Sequence, residues 1–294
     1  MRRRASAGRA FQIENDALEV RLIEDLLALG SAELLDRTPA CVRRVLGDWR
    51  SSGGDRMGVR VRKRRFLVNT EMLSDFDHPA VQSRAKELTS GRPTLLDKTE
   101  SLFGFVRDEI RLGFPPKWDE VRASETLQYE MGYCNTKATL FLALCKAAGI
   151  PARIHTGLID IEIMRGIFPP FAFPFLPSAG GHTWMEIEIA GEWMPMDSYI
   201  NDRDFYQGAV KRLQTSGKTT AFSISHAKGP SSCEFNFGEK GFVQMGAVVE
   251  DHGTWHDYSE YMSSEKYSSM NRMQLMAYPL IAWLSNRNIE RIRG

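Results

Sequence analysis

Apolar side chains recur at helical spacing in several stretches of this 294-residue chain and at strand spacing in one. Ile13, Leu18, Leu22, Leu26 and Leu29 fall on one face of a helix that closes at Gly30. A shorter helix is expected over Cys41–Trp49, before Ser51-Ser-Gly-Gly54 interrupts the chain. Past Asp77 the helical pattern returns, with His78 beside Pro79 at the helix start, a position that suits capping or solvent. Asp97–Ile110 sets Leu102, Phe105, Val106 and Ile110 on one side of an amphipathic helix. A helix from Cys134 to about Ala148 turns Ala138, Phe141, Leu142 and Cys145 inward, then stops at Gly149 with Pro151 just beyond. Arg153–Ile159 reads as a strand, and Cys145 as an inert core residue.

Strict alternation marks His182–Ile189, with His182, Trp184, Glu186 and Glu188 on one face and Thr183, Met185, Ile187 and Ile189 on the other. Glu192–Tyr199 is its expected antiparallel partner. A two-residue turn at Ala190-Gly191 sets Ile189 opposite Glu192 and His182 opposite Tyr199. Asp197 then shares a face with His182, a diagonal neighbour about 7–8 Å away. Before this hairpin, Met164–Gly181 holds four prolines and four phenylalanines. Such a segment reads either as a flap or wall over a site, or as an apolar loop sealing the core edge. Further on, a helix is expected over Phe205–Leu213 and strands over Phe222–Ser225 and Phe242–Val249. A final helix over Tyr267–Ile292 is expected to be kinked or interrupted at Pro279.

The length suits one large or two small domains, and the net charge of +1 argues against chain-wide affinity for nucleic acid or anionic membrane. The charge is uneven: residues 1–66 carry 15 Lys and Arg against 9 Asp and Glu, and the remainder 23 against 28. The basic stretch Arg56–Arg65 reads as a solvated edge strand or linker rather than a nucleic-acid patch. The division expected is a basic helical extension over 1–66, a core over 67–205, and a strand-and-helix elaboration over 206–294 packed on that core. Cys41, Cys134, Cys145 and Cys233 are scattered, which suits free thiols in a reducing cytoplasm rather than a disulfide framework or zinc site. The start Met-Arg-Arg-Arg lacks the apolar stretch of a secretory signal, and no segment is suited to span a bilayer.

Three residues carry candidate chemistry. Cys134 lies where a glycine-containing turn enters a helix, and a helix N-terminus favours the thiolate, the reactive form of cysteine. His182 could take the thiol proton and pass it to a leaving amine, and Asp197 could hold the imidazole in the productive tautomer. The Cys134 backbone N–H could donate to an oxyanion. Val106-Arg-Asp-Glu-Ile110, Ala123-Ser-Glu-Thr-Leu127, Gly132-Tyr-Cys-Asn-Thr-Lys-Ala138, Ala147-Ala-Gly-Ile-Pro-Ala-Arg153, His182-Thr-Trp-Met-Glu-Ile187 and Trp193-Met-Pro-Met-Asp197 together resemble, in this order, the transglutaminase-like superfamily. The resemblance covers roughly residues 70–205. It implies a papain-like α+β fold in which a Cys-bearing helix packs on an antiparallel sheet carrying His and Asp, and it implies Cys134, His182 and Asp197 as nucleophile, base and orienting residue. Members of the superfamily hydrolyse, crosslink, deamidate or form amides, so the reaction stays open.

Gln128 stands six positions before Cys134, the offset at which papain-like proteases hold an oxyanion glutamine, although in this superfamily that position is not a dependable match. Tyr133 and Trp184 could line the site, and Trp184 shares the His182 face. A second polar cluster, Glu250-Asp-His-Gly-Thr-Trp-His-Asp257, could offer His252 and His256 with Asp251 and Asp257 to a metal, could border the thiol site, or could be a turn whose aspartates bond the backbone; the turn is our reading. The activity expected is thiol-dependent acyl transfer or hydrolysis on an amide, peptide or thioester, without metal or cofactor, on a peptide, protein or small acyl or amine substrate. An apolar Pro/Phe mouth would help an amine compete with water. The rivals are a non-catalytic peptide- or partner-binding module of the same fold and a metal-dependent hydrolase built on residues 250–257.

Overall fold

A computed structural model describes residues 72–236 and 242–294. The helices expected over 13–30 and 41–49 and the basic stretch at 56–65 lie outside the described residues. The first described helix, α1 (Pro79–Thr89), starts with Pro79 in its first turn, and the His78 ring accepts from the Ala80 amide at 3.2 Å, the capping role expected of it. Helix α2 (Leu95–Asp108) starts two residues earlier than the apolar pattern implied. Thr94 and Asp97 form a reciprocal capping box that sets its first turn. Strand β1 (Arg111–Leu112), helix α3 (Ala123–Tyr129) and strand β2 (Met131–Gly132) follow, and β1 pairs parallel with β2.

Helix α4 (Cys134–Ala147) is buried at every residue from Asn135 to Cys145, not along one stripe only. A helix that is apolar on nearly all sides belongs in the centre of a core. On one side α4 packs against α1 and α2, and on another against β3 (Ala152–Asp160) and β4 (Ala179–Ile189). Single 3-10 turns at Ile161–Met164 and Pro170–Phe175 fill the Pro/Phe segment. Ile167 is sealed in the core, Phe168 packs on Phe114, and the Arg165 guanidinium lies 4.0 Å over the Phe173 ring.

Strand β5 (Glu192–Met196) returns against β4 through the expected two-residue turn. Ala190 and Gly191 both take positive φ (54° and 83°), the geometry that matches strand twist in a tight hairpin, and Ile189 stands opposite Glu192. Helix α5 (Arg203–Ser216) and a small hairpin, β6 (Thr220–Ala221) with β7 (Ile224–Ser225), lead to β8 (Val248–Trp255). The sheet order is β5-β4-β3-β8, antiparallel throughout. Two expectations are corrected here. The strand placed at 242–249 falls instead at 248–255, and most of the expected 250–257 turn is therefore strand. Pairing with β3 overrides the local turn chemistry, which survives as a bulge where Gly253 takes φ 89°.

Helix α6 (Tyr258–Ser263) and helix α7 (Arg272–Arg293) complete the chain, and α7 runs on through Pro279. The Tyr278 hydroxyl donates to the Pro115 carbonyl at 2.7 Å, and buried Arg293 pairs with Asp202 at 2.6 Å. One apolar cluster runs from Val81 to Ile292. The fold is α+β, with the Cys134 helix laid across an antiparallel sheet.

Candidate active site

Cys134 is the first residue of α4. Glu130 ends α3 in the left-handed region (φ 53°), and Met131-Gly132 form β2. A side chain at Gly132 would collide with Thr136 and Lys137, so the approach to the helix admits only glycine. The half-buried thiol donates to the Asn135 Oδ1 at 3.3 Å. Burial pushes it up to about 12, and the Asp119 charge adds to this. The backbone amides of Thr183, Asn135 and Cys134 pull the other way, since each favours the thiolate. The sulfur therefore sits against Thr183, the residue after His182, where the pairing of β4 with β5 has ended at Met185–Met196.

Alternation along β4 decides what else faces the helix. Thr183 Oγ1 donates to Asn135 Oδ1 at 2.9 Å, and Met185 and Ile187 join the core beneath α4. His182, Trp184 and Glu186 take the opposite face, as the sequence parity implied. There Trp184 stacks on His182 (5.7 Å between centroids) and on His155 (4.2 Å). His155 in turn bonds Glu186 and Asp251, each at 2.7 Å. The His182 ring is 1% exposed, and neither of its nitrogens has a hydrogen-bond partner. Burial alone pushes it down to about 3.

Asp197 does not hydrogen-bond His182, the contact expected of it. Its two oxygens accept from the backbone amides of Val243, Gln244 and Met245 at 2.7, 2.7 and 2.8 Å. The physical reason lies in the chain path: β5 ends at Met196, and three convergent N–H groups form a nest for a buried carboxylate. Burial still raises the Asp197 carboxyl to about 6 against the pull of those amides.

Among the other expected residues, Gln128 is exposed near the end of α3. Tyr133 is buried, stacked between Phe114 and Trp118, and gives its hydroxyl to Asp119 at 2.6 Å. His252 and His256 are not brought together: His252 is buried against the Tyr261 hydroxyl at 3.0 Å, and His256 is exposed past the end of β8. Asp251 caps the Gly253 amide, and Asp257 receives the amides of Leu73, Ser74 and Ser259. Among the described residues no three His, Cys, Asp or Glu side chains converge as a metal-binding group. No described helix is long and apolar enough to cross a membrane.

Sequence reasoning missed Asp119 and Asn135. Asp119 is buried and accepts from Tyr133, Asn135, Tyr258 and Tyr267. Burial raises its carboxyl, and those four donors pull it back. The loop Pro115-Pro-Lys-Trp-Asp119 carries no periodic signal that could have marked it.

Residues 82–198 match the family model described as the transglutaminase-like superfamily. Over that part, about two fifths of its length, the chain is similar to this superfamily. The matched residues run from within α1 to just past β5 and contain Cys134, His182 and Asp197, and the match supports a cysteine-dependent activity. Two solved structures are similar to part of the chain. One, named as a "putative cysteine protease" from Cytophaga hutchinsonii, is 20% identical with a TM-score of 0.35 over 44% of this chain and 39% of its own. The other, named as a "putative protease" from Parabacteroides distasonis, is 12% identical with a TM-score of 0.30 over 42% of this chain and 25% of its own. The chain thus spans well under half the length of either. No curated protein matches it.

Proposed function

We propose that the transglutaminase-like part of the chain performs acyl transfer or hydrolysis on an amide, peptide or thioester, with Cys134 as nucleophile and His182 as base. One observation carries the reading: a sealed imidazole with both nitrogens unengaged directly precedes the strand residue whose amide faces the thiol. An unpaired buried polar group costs roughly 1–3 kcal/mol, and such a group calls for a reason beyond packing. Proton exchange with the thiol supplies that reason.

For this step the His182 ring, which lies on the β4 face turned away from α4 with both nitrogens unengaged, must swing to the sulfur, and the thiol proton then passes to it as the Sγ–C bond forms at the substrate carbonyl. The oxyanion takes hydrogen bonds from the Cys134 and Thr183 amides, which already favour negative charge at the sulfur. The imidazolium returns the proton to the departing amine or thiol as the C–N or C–S bond breaks, leaving a thioester. Water or an amine then attacks the thioester carbonyl and gives its proton to His182, the C–Sγ bond breaks, and the imidazolium returns the proton to the Cys134 sulfur. The apolar segment before β4 suits a peptide, protein or small acyl donor and an amine acceptor.

A second reading is a non-catalytic peptide-binding module of the same fold, and the amide nest around Asp197 favours it. Intact mass spectrometry with a panel of activated acyl donors separates the two. The enzyme reading expects an adduct on wild type that is absent from Cys134→Ala. If no donor leaves an adduct and a thiol alkylator shows no preference for Cys134, the binding module takes its place.

A further inference from the structure

Between the thiol and the interior lies a directed chain of hydrogen bonds. Asn135 Nδ2 donates to Asp119 Oδ1 and to the Tyr258 hydroxyl, both at 2.7 Å. Tyr258 passes its own proton on to Asp119 Oδ2 at 3.2 Å, so its oxygen is free to accept from Asn135. Tyr133 and Tyr267 also donate to Asp119, at 2.6 and 3.0 Å. With its amino group committed to these two acceptors, the Asn135 amide has one orientation left, and its Oδ1 takes the protons of Cys134 (3.3 Å) and Thr183 (2.9 Å). An amide can present a donor or an acceptor to a neighbour, and its partners fix which.

We propose that Asp119 and Asn135 are a positioning pair for Cys134, in which Asp119 fixes the Asn135 amide so that its carbonyl faces the sulfur and holds the thiol in its protonated resting form. The inference rests on Cys134 being the nucleophile only for its functional meaning; the pair's effect on the thiol is measurable without any reaction. A carbonyl oxygen beside the sulfur stabilises S–H and repels S⁻, and the Asp119 charge acts in the same direction. Tyr199 and Tyr258 also feel the Cys134 charge. Both are neutral at ordinary pH, so Asp119 is the one fixed charge among them.

The test compares two near-isosteric variants by iodoacetamide alkylation at fixed pH between 7 and 9, with peptide mapping of the labelled cysteine. Asp119→Asn removes the charge and can donate to Asn135 Oδ1, letting the Asn135 amino group turn toward the sulfur. Labelling of Cys134 then speeds up by about tenfold, equivalent to about one pH unit in thiol acidity. Asn135→Asp keeps an acceptor oxygen against the sulfur, so its rate stays at or below that of wild type. Both variants leave buried Cys145 and Cys233 unlabelled, which separates the effect from loosened packing. The pair is overturned if Asp119→Asn leaves the Cys134 rate unchanged, or if both variants speed it alike. Should the predicted pattern hold while no acyl donor ever modifies Cys134, the pair stands and the proposed activity falls. An acyl adduct with an unshifted Asp119→Asn gives the converse.

Discussion

His182 lies against Trp184 with 5.7 Å between ring centroids and 29° between ring planes, and neither imidazole nitrogen is hydrogen-bonded. Burial holds the ring neutral by pushing it down to about 3. In the unfolded chain a histidine protonates near 6.5. Below that pH the unfolded state binds a proton the folded state refuses, so stability falls as pH drops from about 6.5 toward 3. Between pH 8 and pH 5 this loss amounts to about 2 kcal/mol. Asp197, raised to about 6, titrates in the opposite sense over part of the same window, so variant and wild type must be compared at both pH values. Relative to wild type, His182→Gln should recover about 2 kcal/mol at pH 5 over pH 8 in urea unfolding. Parallel pH profiles for the two proteins would show that the ring is not sealed.

Asp197 and the 243–245 amides predict a cost of a different kind. Asparagine offers one oxygen where aspartate offers two, and its amino group would oppose the backbone N–H groups it faces. Asp197→Asn should lose roughly 1–3 kcal/mol of stability at pH 8, because buried donors are left unpaired. Denaturant unfolding reads this directly. An effect under a few tenths of a kcal/mol would mean that the three amides find other acceptors.

What the chain made legible follows from the range of each interaction. The face of every residue in β4 and the register across Ala190-Gly191 were readable, because a period of two and a two-residue turn are local. The partner of Asp197 was not, since its donors lie 46–48 residues further along with no pattern of their own. Asn135 was quoted in the motif that marks Cys134, yet its link to Asp119 depends on a loop that folds under α4. The displacement of β8 has the same origin, because β3 selected its edge partner by pairing rather than by local propensity.

Lys137 gives a third test. It is fully buried one turn into α4, and its ammonium donates to the carbonyls of Arg107 (3.2 Å) and Ile200 (2.9 Å) rather than to a carboxylate. Burial pushes it down to about 7, against the pull of Asp202 and Asp108. An unfolded lysine keeps its proton to about 10.4, so the unfolded state binds the extra proton between these values and stability rises with pH across that window. From pH 7 to pH 9, wild type should gain about 2–3 kcal/mol relative to Lys137→Met. Equal slopes for the two proteins would show that the amine stays charged in place.

Gly157 stands opposite His182 in the β3–β4 ladder, at the point where the register of β8 steps. A Cβ there would run into the Glu250 carbonyl, which is backbone and cannot swing aside, and would press on the Trp184 ring. Gly181, on the next rung opposite Leu158, has open space where a Cβ would go. Forcing a methyl into a packed position costs typically 1–3 kcal/mol, whereas an open strand site gains or loses little. Gly157→Ala should therefore lower stability by about 2 kcal/mol and Gly181→Ala by less than about 0.5. Because Trp184 is the ring that stacks on His182, Gly157→Ala should also change the near-ultraviolet circular dichroism of the aromatic stack. Gly181→Ala should leave it as in wild type. If the two alanine variants unfold together with unchanged spectra, β8 does not press on β3 as described, and the tight packing behind His182 is lost as an explanation for its buried ring.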